Sequence, residues 1–523
     1  MRNLAHLLHH RVSQTPDQRA IRHLDQTLTW RQLYSRAMAV RDHLHTCGVQ
    51  RADVVAIHIN HSLAQVIALF GIALADAVFT VVSVQLKSQQ IQHQIMDCGT
   101  NHILTMASKR KLLEKMFAYR DTQLTVLHPS GVIENRAEPE TIQTLPEQCH
   151  TRSIPTDVGC IIYTSGSSGK PKGVVVPHRT LLDGARIVSG YLKITQKDRI
   201  LSILPYNFDY GLNQLLSCVQ TGANIVLAQF TFPKDILTIL REEEITAMAG
   251  VPSMWPHFFL ADFLDAKTRT PLPHLRYVTT AGGKHPMSLL EKLTALFAES
   301  DLIIMYGLTE SFRSSYLPFS ELFKRPGSIG KAVPEVELLV VNKEGNPCAP
   351  GEIGELIHRG AFVTYGYLNN PERTAEKFQH LATGGPGCLP EIAVRSGDLV
   401  SMDEEGYLYF HERADTQIKC SGYRISPSEV EEAVLAVPGI KQVAVFGQPS
   451  EMYGEVVVAA YATFDAEPMP LPHLKKALIH TLPSYAVPQF IQHYTALPTT
   501  ASGKIDYPAL KQHAEQLDAN QAI

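Results

Sequence analysis

Tyr163-Thr-Ser-Gly-Ser-Ser-Gly-Lys-Pro-Lys-Gly173 decides the reading of this sequence. Four hydroxyl side chains, three glycines and two lysines follow directly on the apolar run Val158 to Tyr163, which reads as a strand. Glycines let a backbone turn tightly and approach an anion, hydroxyls and amide N–H groups donate hydrogen bonds, and lysines neutralise charge. Such a loop is equipped to cradle phosphate, although the same composition also suits a flexible Ser/Gly surface turn. It is not a Walker A loop: two residues separate Gly166 from Gly169, and Pro171 follows Lys170 where Ser or Thr would stand.

Outward from this loop, β-branched runs alternate with helical patterns. Val54 to Ile59 reads as a strand, 64–75 as a helix, 78–84 as a strand and Val174 to Val176 as another. This alternation predicts an α/β fold: a large N-terminal domain of layered, mostly parallel sheets and helices. The apolar stretch Leu63 to Val84 is interrupted by Gln65 and Asp76 and turns β-branched in its second half. A buried helix feeding a buried strand is therefore expected, not a membrane span. Towards the end of the chain, Ser426-Pro427-Ser428-Glu429 has the form of a capping box. Val430, Ala433, Val434 and Val437 follow at helical spacing, with strands expected at Val443–Phe446 and Val456–Phe464. This is the pattern of a small α+β C-terminal domain, and the boundary falls between domains 1–414 and 415–523.

Composition narrows the function. The 523 residues carry a formal net charge of −4, with 45% hydrophobic and 19% charged residues, which argues for large cores and against a polyanion-binding surface. The eight cysteines include no Cys-x-x-Cys pair and are expected as free thiols in a cytoplasmic protein. The N-terminus shows no signal-peptide pattern. His6, His9 and His10 lack a carboxylate partner or further ligand nearby, so a solvated amphipathic helix is expected there, not a metal site.

The 163–173 loop resembles the signature of the adenylate-forming superfamily, which includes acyl-CoA synthetases, nonribosomal peptide synthetase adenylation domains and luciferases. Other motifs of that family follow in order along essentially the whole chain. Tyr306-Gly-Leu-Thr-Glu310 resembles Tyr-Gly-x-Thr-Glu, and Ser396-Gly-Asp398 resembles Ser/Thr-Gly-Asp. Glu412-Arg-Ala-Asp-Thr-Gln-Ile-Lys-Cys-Ser-Gly-Tyr-Arg-Ile425 resembles the hinge motif. Leu482-Pro-Ser-Tyr-Ala-Val-Pro488 and Ser502-Gly-Lys504 resemble the C-terminal motifs. Phe208 to Gln214 and Thr309 to Arg313 also look like stand-alone ligases encoded with exosortase systems.

The resemblance implies an AMP-forming ligase that joins a carboxylic or amino acid to the α-phosphate of ATP and then transfers it to a thiol. It implies ATP and Mg²⁺, with coenzyme A or a carrier-protein phosphopantetheine as acceptor. Thr164, Ser165, Gly166, Ser167, Ser168, Gly169, Lys170 and Lys172 would hold phosphates. Gly282, Gly283, Gly307 and Tyr306 would lie beside the nucleotide, Thr309 would contact phosphate, and Glu310 would ligate magnesium. Asp398 would take the ribose hydroxyls, with Arg413 nearby, and Lys504 would neutralise the crowded carboxylate and α-phosphate. Asn207, Asp209, Tyr210, Met305 and Arg313 would line the acyl pocket.

In amino-acid-activating members a Phe-Asp at this place holds the α-ammonium, which Asp209 matches, whereas Tyr507 stands where that branch has Arg. Arg313 either pairs with Asp209 or holds an acidic group of the substrate, so amino acid and plain carboxylic acid both stay open. Too few residues follow Lys504 for a carrier domain, so the thiol is expected in trans. The partners are then a small acid and a separate carrier protein, with no nucleic acid and no membrane span. A non-catalytic nucleotide-binding relative is the competing reading. A serine hydrolase is a poor reading, since the sequence contains no Gly-x-Ser-x-Gly elbow.

In relatives the C-terminal domain turns about the hinge, here Asp415. Lys504 then leaves and the Gly422-Tyr423 region enters for thioester formation. Asp415→Pro is therefore expected to spare adenylation and block thioester formation, because a fixed φ resists the hinge change. Separate assays of the two half-reactions check this, and equal loss of both would contradict it.

Overall fold

The computed structural model describes residues 1–86, 88–164, 171–252, 254–259, 271–283, 285–381, 391–413, 418–420, 423–425, 427–450, 454–482 and 486–514. Three sheets organise these residues.

In the six-stranded sheet, Gln123–Val126, His102–Thr105, Val54–His58, Val78–Val81 and Val158–Thr164 run parallel, and Lys172–Pro177 closes it antiparallel. The last two strands form the hairpin whose connection is the Ser/Gly loop, with Thr164 opposite Lys172. The apolar stretch resolves as expected. Leu63–Leu74 is a helix with all twelve residues buried, and Val78–Val81 is a buried strand. Burial on every face explains why no polar stripe marks this helix. Among the described residues no helix is long and apolar enough to cross a membrane.

The largest sheet has two halves of different character. Arg19–His23, Asn224–Leu227, Arg199–Ser202, Ala247–Gly250, Tyr277–Thr280 and Asp301–Tyr306 pair in parallel. From Ser315 onward the pairing is antiparallel, through Ser328–Ala332, Leu408–Arg413, Glu391–Met402, Ile353–Gly360 and Val336–Val341. The switch has a simple cause. Parallel neighbours need a crossover, which the helices Asp209–Thr221, Pro233–Glu242 and Met287–Leu296 supply, whereas the later strands are joined without such helices over most of their series.

A five-stranded sheet forms the smaller C-terminal unit. Ile440–Ser450 and Gly454–Thr463 pair over nearly their whole length and are packed by the helices Pro427–Leu435 and Leu471–Thr481. The helix begins where the capping pattern predicts, although Ser426 itself lies outside the described residues.

One finer expectation needs adjusting. The N-terminal helix Leu4–Gln14 is amphipathic, but it is not simply solvated. His6 Nε2 lies 3.2 Å from the Cys149 carbonyl oxygen, and His9 Nε2 lies 2.9 Å from that of Pro146. The segment around 146–153 packs across the helix, a long-range contact that local sequence does not signal. The seven described cysteines are free.

One close approach sets the entrance to the candidate pocket. A Cβ added to Gly211, in the first turn of the helix Asp209–Thr221, would lie 2.5 Å from the Pro205 carbonyl oxygen and 2.6 Å from that of Leu204. Backbone cannot yield as a side-chain tip does. Gly211→Ala is expected to cost about 1–3 kcal/mol of stability in chemical denaturation. Unchanged stability would show that the turn before Asp209 can relax.

Candidate active site

Asp209 sits at the first residue of a buried helix, with Phe208 as its N-cap, and is 5% exposed. The helix N-terminus favours a carboxylate there. Its hydrogen-bond support is nevertheless thin: the Thr309 hydroxyl donates to Oδ1 at 3.4 Å. Burial raises the Asp209 pKa, opposed first by the charge of Arg313 and then by that of Lys504. One buried carboxylate thus faces two cations that arrive from distant parts of the chain.

Lys504 follows a tight turn in which the Thr500 amide donates to the Lys504 carbonyl and the Gly503 amide to the Thr500 carbonyl. Its Nζ lies 5.5 Å from the centre of the Phe208 ring. Gly282, at φ +92°, follows the strand Tyr277–Thr280 and borders the same space. A Cβ there would stand 3.9 Å from Phe208 and 4.0 Å from Lys504 Cε. Gly283 lies against Pro252. The small C-terminal unit therefore presents its lysine to Phe208 and Gly282 of the larger unit. Asn207 is half-buried on the turn just before Phe208.

Arg313 is 2% exposed. Its guanidinium lies 4.9 Å over the Tyr210 ring, and the Tyr210 hydroxyl shares a 2.5 Å hydrogen bond with Thr279. Of the two alternatives left open for Arg313, the ion pair with Asp209 does not form: the two are electrostatically coupled, but no salt bridge joins them. Phe312, at φ +52°, turns the chain just before Arg313. Met305 is buried, and its sulfur accepts from the Tyr191 hydroxyl at 3.0 Å.

The Tyr306–Glu310 segment leaves the end of the strand Asp301–Tyr306 and reaches two further groups. The Tyr306 hydroxyl donates to Asp398 Oδ2. Asp398 is buried, its amide donates to Ser396 Oγ at 2.9 Å, and its backbone stands opposite Arg413 in the sheet. Gly307 continues the turn. At the other end, the Tyr367 hydroxyl donates to Glu310 Oε1, while Thr364 binds the Glu310 carbonyl through its amide and hydroxyl. Glu310 makes no further side-chain hydrogen bond among the described residues. Lys172 Nζ lies 5.7 Å from the Tyr367 ring centre. Burial lowers the Lys172 pKa, reinforced by Arg373 and opposed by Glu310.

The Ser/Gly hairpin and the Thr-Glu segment therefore converge on Tyr367, which sequence reasoning passed over. Its positioning comes from backbone pairing of the 365–368 stretch with the second hairpin strand, where Tyr365 and Leu368 amides donate to Val175 and Gly173 carbonyls. No short motif announces that pairing.

Several expected residues fall outside the described residues: Ser165, Gly166, Ser167, Ser168, Gly169, Lys170, Asp415 and Gly422, as do the side chains of Arg413 and Tyr423. Thr164 and Lys172, which flank the loop, are described and face each other across the hairpin.

The donor set suits magnesium. Among the described residues no cluster of three His, Cys, Asp or Glu forms a metal cage. Glu310 offers a carboxylate oxygen on the Tyr367 hydroxyl, whose ring Lys172 also approaches, and magnesium is commonly held by one or two carboxylates together with nucleotide phosphates and water.

A glycine-rich hairpin, a Tyr-Gly-x-Thr-Glu turn and a lysine delivered from a second unit define an adenylate-forming fold and site. The chain belongs to the AMP-binding enzyme family: that family's model matches residues 8–368, and the AMP-binding enzyme C-terminal domain matches residues 429–504. Zwittermicin A synthase ZmaJ of Bacillus cereus is 30% identical over 96% of this chain and 94% of its own length. Tyrocidine synthase 3 of Brevibacillus parabrevis is 30% identical over 99% of the chain, which spans only 8% of that protein. Among solved structures, O-succinylbenzoate coenzyme A synthetase from Bacillus subtilis bound to AMP is 26% identical, with TM-score 0.83 over 100% of this chain and 99% of its own. ATP-bound MatB from Rhodopseudomonas palustris shares the fold at 22% identity and TM-score 0.84, over 99% of each chain.

The buried carboxylate has a measurable signature. Its folded-state pKa is raised, so Asp209 costs stability above that value, and the cost fades as pH falls towards the ordinary carboxylate range. Asp209→Asn is expected to raise the melting temperature at pH 7, with the gain shrinking towards pH 4. A loss of stability at pH 7 would contradict this.

Proposed function

We propose that the protein activates a small carboxylic or amino acid as its acyl-adenylate and passes the acyl group to a thiol on coenzyme A or a carrier-protein phosphopantetheine arm. The observation that carries this reading is Lys504, brought from the C-terminal unit to the Phe208–Gly282 floor and facing buried Asp209. In the first step an oxygen of the substrate carboxylate bonds to the α-phosphorus of ATP, and the bond to the bridging oxygen breaks to release pyrophosphate. Two anions must meet for this to happen. A fixed cation between them lowers the barrier without reorganising at the moment of reaction. In the second step the thiol sulfur attacks the acyl carbon and AMP departs.

The other groups have roles that fit this chemistry. Thr164, the Ser/Gly loop and Lys172 hold the β- and γ-phosphates. Tyr306 and Asp398, joined by their hydrogen bond, form the wall for the nucleoside, with Asp398 as acceptor for ribose hydroxyls. Glu310, oriented by Tyr367, would hold magnesium, which supplies charge neutralisation on the phosphates. Residues 1–414 form the domain that binds ATP and acid, and 415–523 form the mobile domain that exchanges Lys504 for the Gly422-Tyr423 face at the second step. A need for ATP and an acceptor thiol supports a cytoplasmic setting.

Lys504→Ala is expected to slow adenylation on the order of 10²–10³-fold, as loss of a preorganised electrostatic contact does. Single-turnover formation of acyl-adenylate measures it. A wild-type rate in the variant would remove Lys504 from the mechanism.

A further inference from the structure

Arg313 is the feature of the pocket that adenylation alone leaves unexplained. It is almost wholly buried, its Nε donates no hydrogen bond, and no carboxylate among the described residues forms a salt bridge with it. Among the described residues its guanidinium stacks on one ring, that of Tyr210, 4.9 Å away and held in place by the hydroxyl's bond to Thr279. A cation–π contact returns far less than burial of an unpaired guanidinium costs, and a neutral side chain of similar volume would fill the space more cheaply. Asp209 offsets part of this cost without forming a salt bridge, and the charge gains most when a directly bound anion arrives. Arginine's planar fork suits a carboxylate, which it can bind through two hydrogen bonds at once.

The position of Arg313 says where on the substrate that anion lies. Lys504 stands 5.5 Å from the Phe208 ring, the Phe208 and Tyr210 rings are 6.4 Å apart edge to face, and Arg313 lies over the Tyr210 ring. Each cation thus lies against a different ring of one aromatic pair, and both act on Asp209. We propose that Arg313 receives a second carboxylate at the end of the acid remote from Lys504, so that the substrate is a dicarboxylic acid. This deepens the adenylation reading and rests on it for the reacting end. An amino-dicarboxylic acid complements all three charges in order, its ammonium meeting Asp209. A plain dicarboxylic acid complements the two cations and leaves Asp209 as their internal counter-charge.

The test pairs each diacid with its amide: L-glutamate with L-glutamine, L-aspartate with L-asparagine, and succinate and glutarate with their monoamides. ATP–pyrophosphate exchange is followed for wild type, Arg313→Gln and Arg313→Lys. Calorimetric binding of the same acids is measured beside a non-hydrolysable ATP analogue. We expect wild type to prefer a distal carboxylate on the order of 10²-fold in kcat/KM, the scale of a lost charged hydrogen bond. Arg313→Gln should erase the preference mainly through KM, and Arg313→Lys should restore part of it. A higher rate with the amino diacids assigns the ammonium to Asp209, and equal rates with the plain diacids assign Asp209 to the cations; either supports the proposal. Diacid binding without exchange supports the anion site and overturns the adenylation reading instead. Equal use of the amides, a preference that survives in Arg313→Gln, or neither binding nor exchange with any diacid would overturn the proposal. Should Arg313→Gln fail to fold, the wild-type preference alone decides.

Discussion

A buried carboxylate between two cations is the constraint on which the rest of the site depends. Asp209 comes from the start of a helix, Arg313 from the turn after a parallel strand, and Lys504 from a turn in the C-terminal unit. Bringing like charges to one floor is costly, and a single carboxylate offsets part of that cost. Because Lys504 belongs to the smaller unit, the full charge set exists only when that unit is docked. The electrostatics of the pocket and the position of the C-terminal unit are therefore one variable. In the proposed mechanism the lysine is present for the step that crowds negative charge and absent for the step that does not.

A second assembly, on the nucleotide side, is built differently. Glu310, Tyr367 and Lys172 converge from three segments, and Tyr306 and Asp398 from two, largely through backbone pairing of strands. Side chains on paired strands and rigid turns hold their geometry through packing around them, which is what preorganisation requires. The parallel half of the large sheet delivers the Tyr306–Glu310 turn at a strand's carboxyl end, the usual place for ligand sites in open α/β sheets.

Much of this was legible in the sequence. Alternating strand and helix patterns gave away the α/β layers, and the ordered motifs pointed to the family, because each needs particular residue types at short spacing. Three things were not legible, each for a physical reason. The antiparallel half of the sheet, from Ser315 onward, depends on connection length and not on residue pattern. Tyr367 orients Glu310 through a pairing across many intervening residues, so no local signal exists for it. Whether Arg313 pairs with Asp209 is a question of ångströms, which a sequence leaves open; in the folded protein the two interact without a salt bridge.

The most direct test of the central claim follows an oxygen atom. With a substrate acid labelled with ¹⁸O in its carboxylate, unlabelled ATP and an acceptor thiol, the AMP released can be weighed by mass spectrometry. Attack of the carboxylate on the α-phosphorus predicts one ¹⁸O in each AMP. Unlabelled AMP, or ADP in its place, would contradict the account.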